Sequence, residues 1–238
     1  MFHSRGPTFF ELVFQALSST EAGYDMLAPK FDYTPFRTPD EILESVAAYL
    51  GRFDSVDIAL DMCCGTGAAM QMLRPFCRDR VVGIDMSRGM IDVGRQKVRQ
   101  VSDGATIEFV RGNVLEMSFE EEFDIAVCFG ALGHILPKDQ VRFVSRAHAA
   151  LKPGGRFLFP CSYFPPFWSR RHWSSRGFNA VMHVRNLLIS PPFVMFYLNC
   201  TLPQVANLLQ NHGFHVAVRE GIFSPPWDDF CLVEAVRV

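Results

Sequence analysis

Two stretches of this sequence carry residues with chemical promise. Ala59-Leu60-Asp61-Met62-Cys63-Cys64-Gly65-Thr66-Gly67 runs from a short apolar segment straight into a glycine-rich bend. Gly65 and Gly67 have no side chains, so a ligand can come close to the backbone there. A helix starting after the bend would turn free N–H groups toward an anionic or polar ligand group. The second stretch, Val81-Val82-Gly83-Ile84-Asp85, ends on a carboxylate. A carboxylate at a strand tip can accept two hydrogen bonds from a ribose diol.

These tips need a sheet to hold them side by side. Phe9, Leu12, Val13, Ala16 and Leu17 recur at helical spacing between Thr8 and Ser18. Gly23 to Pro39 reads as turn-rich. Thr38 then serves as a cap, with Pro39 at the first helical position and Glu41 three residues after the cap, for a helix to Leu50. From there strands and helices alternate. Strands are expected over Val56–Met62, Val81–Ile84, Ile107–Val110, Phe123–Phe129 and Arg156–Pro160. Helices are expected up to about Leu73, from a Ser87 cap to about Val101, and from Lys138 to Leu151. After Pro160 the regularity fails, and 161–201 is aromatic and proline-studded. A helix from about Leu202 to Asn211 and strands near His215–Arg219 and Phe230–Val236 close the chain. The pattern predicts an α/β, doubly wound, mostly parallel seven-stranded sheet with an aromatic insertion after the fifth strand. It divides into an N-terminal helical lid (1–50), a core (51–160), an aromatic cap (161–201) and a C-terminal helix with the last two strands (202–238).

Composition narrows the function. The 238 residues suit one α/β domain with a small cap. The net charge of −2 argues against a nucleic-acid partner held by bulk electrostatics. Seven cysteines, an odd number with no CxxC pair, argue against a disulfide framework and a thiolate zinc site. They read as small apolar core residues in a reducing, cytoplasmic compartment, and no metal is expected. The N-terminal stretch lacks a long uncharged apolar run and a cleavage-site signature. Phe178 to Cys200 is broken by Arg185 and Pro191-Pro192, so it makes a poor membrane span. Phe is abundant, 23 against 5 Tyr, which points to a greasy pocket, a partner surface or a membrane-facing patch.

The bend and the acidic tip leave two ligands open, a dinucleotide or S-adenosylmethionine. The dinucleotide fingerprint wants a third glycine where Met70 stands. Four ordered blocks decide further: LDMCCGTG at 60–67, VVGIDMS at 81–87, FVRGNVLEMSF through FDIAVCFGALGHI at 109–135, and LKPGGRFLF at 151–159. With them the chain resembles the class I S-adenosylmethionine-dependent methyltransferases of small-molecule type, closely over roughly 24–160 and loosely beyond. The resemblance implies a Rossmann-like fold and S-adenosyl-L-methionine as cofactor, with S-adenosyl-L-homocysteine as product. It implies that Asp61 and the backbone from Cys63 through Gly65 to Gly67 wrap the methionine and sugar portion. Asp85 would bind the ribose hydroxyls and Met86 would pack on the adenine. Asn113 and the Val114 backbone would meet the adenine edge, and Phe129 and Gly130 would line the cofactor near its sulfur. Two positions depart from the family pattern: Cys63 where glycine is commonest, and Asn113 where aspartate is commonest. Tyr24 or Tyr33, in a stretch similar to the family's lid, would close over the cofactor.

Catalysis would consist chiefly of aligning the acceptor with the methyl carbon and excluding water. His134, after the fourth strand, is the candidate base if the acceptor must lose a proton; its other reading is a histidine that orients the loop. Phe164, Trp168, Trp173, Phe196 and Tyr197 in the insertion are expected to wall a pocket for a small apolar or aromatic acceptor, or else to pack the cap or an oligomer interface. Arg170, Arg171, His172 and Arg176 form a basic patch suited to a carboxylate or phosphate, or to plain solvation. Ser190-Pro191-Pro192-Phe193 and Ser224-Pro225-Pro226-Trp227 read as loop turns. A lipid, quinone or macromolecular acceptor, and a non-catalytic S-adenosylmethionine-binding protein, stand as the alternatives. Monomer and homodimer both remain open.

Overall fold

The computed structural model describes residues 4–98 and 104–238. Its strands are β1 (Val56–Met62), β2 (Cys77–Asp85), β3 (Thr106–Arg111), β4 (Phe123–Val127), β5 (Leu151–Ser162), β6 (Phe214–Arg219) and β7 (Phe230–Arg237). Its helices are α1 (Phe9–Leu17), α2 (Thr20–Leu27), α3 (Asp40–Leu50), α4 (Ala68–Leu73), α5 (Arg88–Val98), α6 (Gln140–Ala150), α7 (Arg170–Leu188) and α8 (Gln204–Gln210). The sheet order is β3-β2-β1-β4-β5-β7-β6. Only β7 runs antiparallel to its neighbours, β5 and β6. The chain steps outward from β1 to β2 and β3, then crosses back to β4, so the order reverses beside β1. Doubly wound sheets bind ligands at the carboxyl ends of the strands that flank such a reversal.

Helices cover both faces, which is why the central strands are apolar runs rather than alternating ones. On one face Leu60, Met62, Phe157 and Phe159 pack with Phe143 and Val144 of α6. On the other, Ala59, Val81 and Leu158 pack with Val46 of α3 and Leu73 of α4. Five of the seven free cysteines are buried among these groups, in keeping with their reading as core residues.

Several elements differ from the sequence reading. The supposed turn-rich start at Gly23 is the middle of α2, which Ser19 caps by accepting from Ala22 N at 3.1 Å. The prolines that signalled turns act only from Pro29 onward, where a 3-10 turn spans Ala28–Tyr33. Thr38 does not cap α3; the helix begins one residue later than read, and Arg37 pairs with Asp40 in its first turn. Strand β2 starts at Cys77 rather than Val81, and β5 starts at Leu151 rather than Arg156, taking in Pro153-Gly154-Gly155. The helix expected from Lys138 starts at Gln140. The insertion contains a 19-residue helix, α7, which has little apolar periodicity toward the core because Trp173, Val181, Val184, Leu187 and Leu188 are exposed and Met182 is buried. The helix end expected near Val101 and the first three residues lie outside the described residues. No helix among the described residues is long and apolar enough to cross a membrane.

Asp25 helps fasten the lid to the core. Asp25 of α2 accepts from Ser87 Oγ at 2.6 Å and Gly89 N at 2.8 Å, at the start of α5. Ser87 itself caps α5, as the sequence implies, by accepting from Met90 N at 3.1 Å. A Cβ on Gly89 would sit 2.8 Å from the Asp25 carbonyl oxygen, whereas a Cβ on Gly177 in α7 would meet nothing within 4 Å. Gly89→Ala should therefore cost about 1–3 kcal/mol by overpacking. Gly177→Ala should stabilise by roughly 0.5–1 kcal/mol through helix propensity. Urea unfolding of both variants checks this, and equal effects would contradict the packing.

Candidate active site

A cavity of about 310 Å3 opens at the carboxyl edge of the sheet, between the β1, β2 and β4 tips below and the lid above. Of the residues singled out in the sequence, it is lined by Tyr24, Asp61, Cys63, Gly65, Asp85, Met86, Asn113, Val114, Phe129, Gly130 and His134. Residues 24 to 134 thus converge on one space through the parallel register, which sets Asp61 beside Gly83 and Val127.

The bend after β1 has the geometry its residue types demand. Gly65 has φ +53° and Gly67 φ +83°, both left-handed. Cys63 also has φ +64°, which explains why glycine is usual at that position: a Cβ is strained there. The bend is closed by its own bonds. Cys64 N donates to Ile84 O at 3.0 Å, Gly67 N donates to Cys64 O at 2.9 Å, and Gly65 N donates to Asp85 at 2.8 Å. Three N–H groups of the bend are thus spent on shaping the loop. Gly67 does not line the cavity: a Cβ there would be 2.9 Å from Phe109, so its smallness serves helix–strand packing.

Two carboxylates share one wall. Asp85 Oδ2 accepts from Gly65 N and Oδ1 from Ser87 N, both at 2.8 Å, which holds the carboxylate at the β2 tip. Each oxygen keeps a further acceptor site. Burial raises the Asp85 carboxyl above its usual range, against the lowering pull of those N–H groups. Asp61 is 2% exposed, and its Oδ2 is buried without any hydrogen-bond partner. Burial, reinforced by Asp85, pushes its carboxyl well up. A buried acceptor left unpaired is costly unless a ligand supplies a donor.

His134 and Tyr24 form a pair on the opposite wall. His134 Nδ1 meets the Val194 carbonyl, which can only accept, so Nδ1 carries the proton. Nε2 is then the acceptor, and Tyr24 O–H donates to it at 2.9 Å. Burial lowers the His134 pKa and raises that of Tyr24, so both are neutral near pH 7. Phe193 stacks on the Tyr24 ring at 6.2 Å. Asn113 Oδ1 accepts from Leu115 N at 3.0 Å, which fixes the side chain at the cavity edge and spends one of its acceptor sites.

Other expected residues stand elsewhere. Tyr33 lies outside the cavity, under the Arg5 guanidinium at 4.5 Å. Phe164, Trp168, Trp173 and Tyr197 are exposed and do not reach the cavity. Phe196 is buried against His183. Most of the insertion's aromatics stay outside the cavity because Asn179, Asn186 and Arg185 tie its loop to α7 and α1 through main-chain bonds. Its contribution to the cavity is Val194. Sequence reasoning also missed Phe31, Phe36, Thr38 and Leu43, which lid and α3 bring to the walls. Phe31 and Phe36 signalled only apolar character in a stretch expected to be turn-rich, and Thr38 and Leu43 only a helix start and its packing. Thr66, in the bend, donates to Asp32 of the lid at 2.8 Å.

This sheet order, bend and acidic strand tip are those of a class I methyltransferase fold. Residues 59–155 match the family model described as a methyltransferase domain. An uncharacterized methyltransferase of Schizosaccharomyces pombe is 34% identical over 156 residues, 62% of this chain and 52% of that protein. A demethylmenaquinone methyltransferase of Listeria welshimeri is 32% identical over 100 residues, 41% of each chain. The chain thus spans about half the length, or less, of these curated relatives. Among solved structures, the magnesium protoporphyrin IX methyltransferase of Synechocystis with bound S-adenosylhomocysteine superposes with a TM-score of 0.64 at 18% identity, covering 96% of this chain and 99% of that one. Phosphoethanolamine N-methyltransferase 2 of Haemonchus contortus in complex with S-adenosyl-L-methionine gives 0.67 at 19% identity, covering 98% and 60%. At those identities the likeness speaks for the fold.

Proposed function

We propose that this chain binds S-adenosyl-L-methionine at the β1 and β2 tips and transfers its methyl group to a small apolar or aromatic acceptor. The observation that carries this reading is the pair of buried carboxylates beside the glycine bend, with Asp61 Oδ2 unpaired. The cofactor brings a ribose diol, an ammonium group and a sulfonium. Asp85 would hold the diol, and Asp61 Oδ2 would meet a cationic donor. When bound, the cofactor supplies a methyl group on a positively charged sulfur, already a good leaving group.

The chain's own residues do the rest. Met86 and Val114 give apolar surface for the base, and Asn113 lies at its edge. Phe129 and Gly130 continue the wall toward the acceptor side. Phe31, Phe36, Leu43, Ile135, Leu136 and Val194 make that side greasy, so an apolar acceptor fits and water is excluded. A quinone-type acceptor, the kind named for the Listeria relative, falls in this class. Where the acceptor must lose a proton, Tyr24 Oη would take it while passing its own proton to His134 Nε2, whose tautomer is set by the Val194 carbonyl.

Calorimetry with S-adenosylhomocysteine tests the reading: a folded sample should release measurable heat, and no heat would count against it. Binding without methyl transfer to any acceptor would favour the non-catalytic alternative. His134→Ala should lower turnover by about 10²-fold with unchanged cofactor affinity. A fall below about tenfold would return His134 to a loop-orienting role. The rate should also drop as pH falls through the lowered His134 pKa, because the charged imidazolium has no lone pair for the proton that Tyr24 passes on. The same sign holds for stability: the histidine's contribution is full above its ordinary value near 6.5 and is lost as pH falls toward the folded value.

A further inference from the structure

Helix α7 turns much of its apolar surface outward. Its buried residues are His172, Ser175, Met182 and the arginine Arg185. Its outward stripe is Trp173, Val181, Val184 and Leu188, at intervals of eight, three and four residues, with Leu187 beside it. Trp173 is 63% exposed, Leu187 84% and Leu188 74%. Three buried-side bonds keep this orientation: Arg185 donates to Ala16 O at 2.6 Å, Ser18 O at 2.7 Å and Pro191 O at 2.7 Å. The same bonds bring the Leu188 end of α7 to the Leu17 end of α1, whose Phe10, Phe14 and Leu17 are also exposed at spacing i, i+4, i+7. Trp168 adds a further exposed ring just before α7. Soluble monomers rarely leave so much contiguous apolar surface without a use.

The charge on α7 is one-sided: it carries four arginines and no Asp or Glu, with Arg185 buried and Arg171 paired with Asp229, while Glu11 of α1 is paired with Lys30. Arg170 and Arg176 are exposed at the Trp173 end of the stripe. Aromatic and aliphatic side chains flanked by arginines, on a helix without acidic residues, fit the boundary of an anionic bilayer.

We propose that the exposed faces of α7 and α1 form a peripheral docking surface for an anionic lipid bilayer. The loop that follows α7 supplies Val194 to the cavity wall and Phe193 to Tyr24, so the docked cap is also the roof of the site. That the bilayer delivers the apolar acceptor through this roof depends on the methyl-transfer reading; the docking does not.

The test uses vesicles of phosphatidylcholine with phosphatidylserine, and of phosphatidylcholine alone. The chain should co-sediment with the anionic vesicles, with a blue shift of tryptophan emission, and should dissociate as salt is raised. Leu187→Asp/Leu188→Asp and, separately, Arg170→Glu/Arg176→Glu should each weaken binding by at least about tenfold. Both pairs are exposed, so circular dichroism and the heat of S-adenosylhomocysteine binding should stay as in the parent chain. No binding by the folded chain, or binding that neither pair alters, overturns the proposal. A dimer in sedimentation velocity that Leu187→Asp/Leu188→Asp splits, without vesicle binding, overturns it in favour of self-association. Loss of cofactor heat in the parent chain would instead strike the methyl-transfer reading and leave the docking result standing.

Discussion

Asp85→Ala should weaken S-adenosylhomocysteine binding by about 10²-fold, a loss of roughly 3 kcal/mol. The carboxylate has two roles at one point. Its oxygens accept from Gly65 N and Ser87 N, which locks the bend against the α5 start. Their remaining acceptor sites face the cavity, where a ribose diol would donate charge-assisted hydrogen bonds of about 1.5–3 kcal/mol each. Alanine removes both roles and leaves two backbone donors unpaired. Asp85→Asn separates them: one amide oxygen can still accept from a backbone N–H, but the charge is gone. It should fold nearly as well and still lose about tenfold or more in affinity. Calorimetry on both variants, with circular dichroism to confirm folding, reads this directly. Affinity unchanged in Asp85→Ala would remove the basis for placing the nucleoside at the β2 tip.

The largest expected effect on stability lies away from the site. Glu234, in the middle of β7, is 1% exposed. Tyr49 of α3 donates to it at 2.8 Å, Arg156 of β5 at 2.5 Å, and Arg219 of β6 at 2.7 and 3.0 Å. It therefore ties one helix and three strands together across the antiparallel edge of the sheet. Removing one partner of a buried pair costs about 3–5 kcal/mol. Because solvent reaches both arginines, Glu234→Ala should fall at the lower end, about 3 kcal/mol. Glu234→Gln keeps the shape and should cost less. Burial alone would raise the Glu234 carboxyl, but Arg219, Tyr49 and Arg156 together hold it below its ordinary value near 4.5. Its folded form thus binds fewer protons than the unfolded chain around that pH. The stabilisation is full above about 4.5 and is lost as pH falls through the folded value. Urea unfolding at neutral and acid pH checks it. The gap between the parent chain and Glu234→Gln should narrow in acid, and a constant gap would contradict the network.

The sequence by itself determined the sheet and the floor of the site. β1 came out with the same bounds, because a buried parallel strand is an uninterrupted apolar run and glycines end it sharply. Asp61, Gly65 and Asp85 were legible for the same reason: strand tips followed by a bend must lie together at the carboxyl edge once the strands are neighbours. Cys63 was noticed as an odd residue, but only its left-handed backbone says why glycine is usual there. What the sequence could not decide was everything that crosses the sheet or covers it. Tyr24 and His134 are 110 residues apart, and their 2.9 Å bond depends on where the lid settles on the β4 loop. The insertion's aromatics looked like pocket walls, yet Arg185 and the asparagines turn most of them outward. Residue type reports that a ring will leave water if it can. Which surface it leaves water for, the cavity within or a partner outside, is fixed by the tertiary bonds that orient its helix.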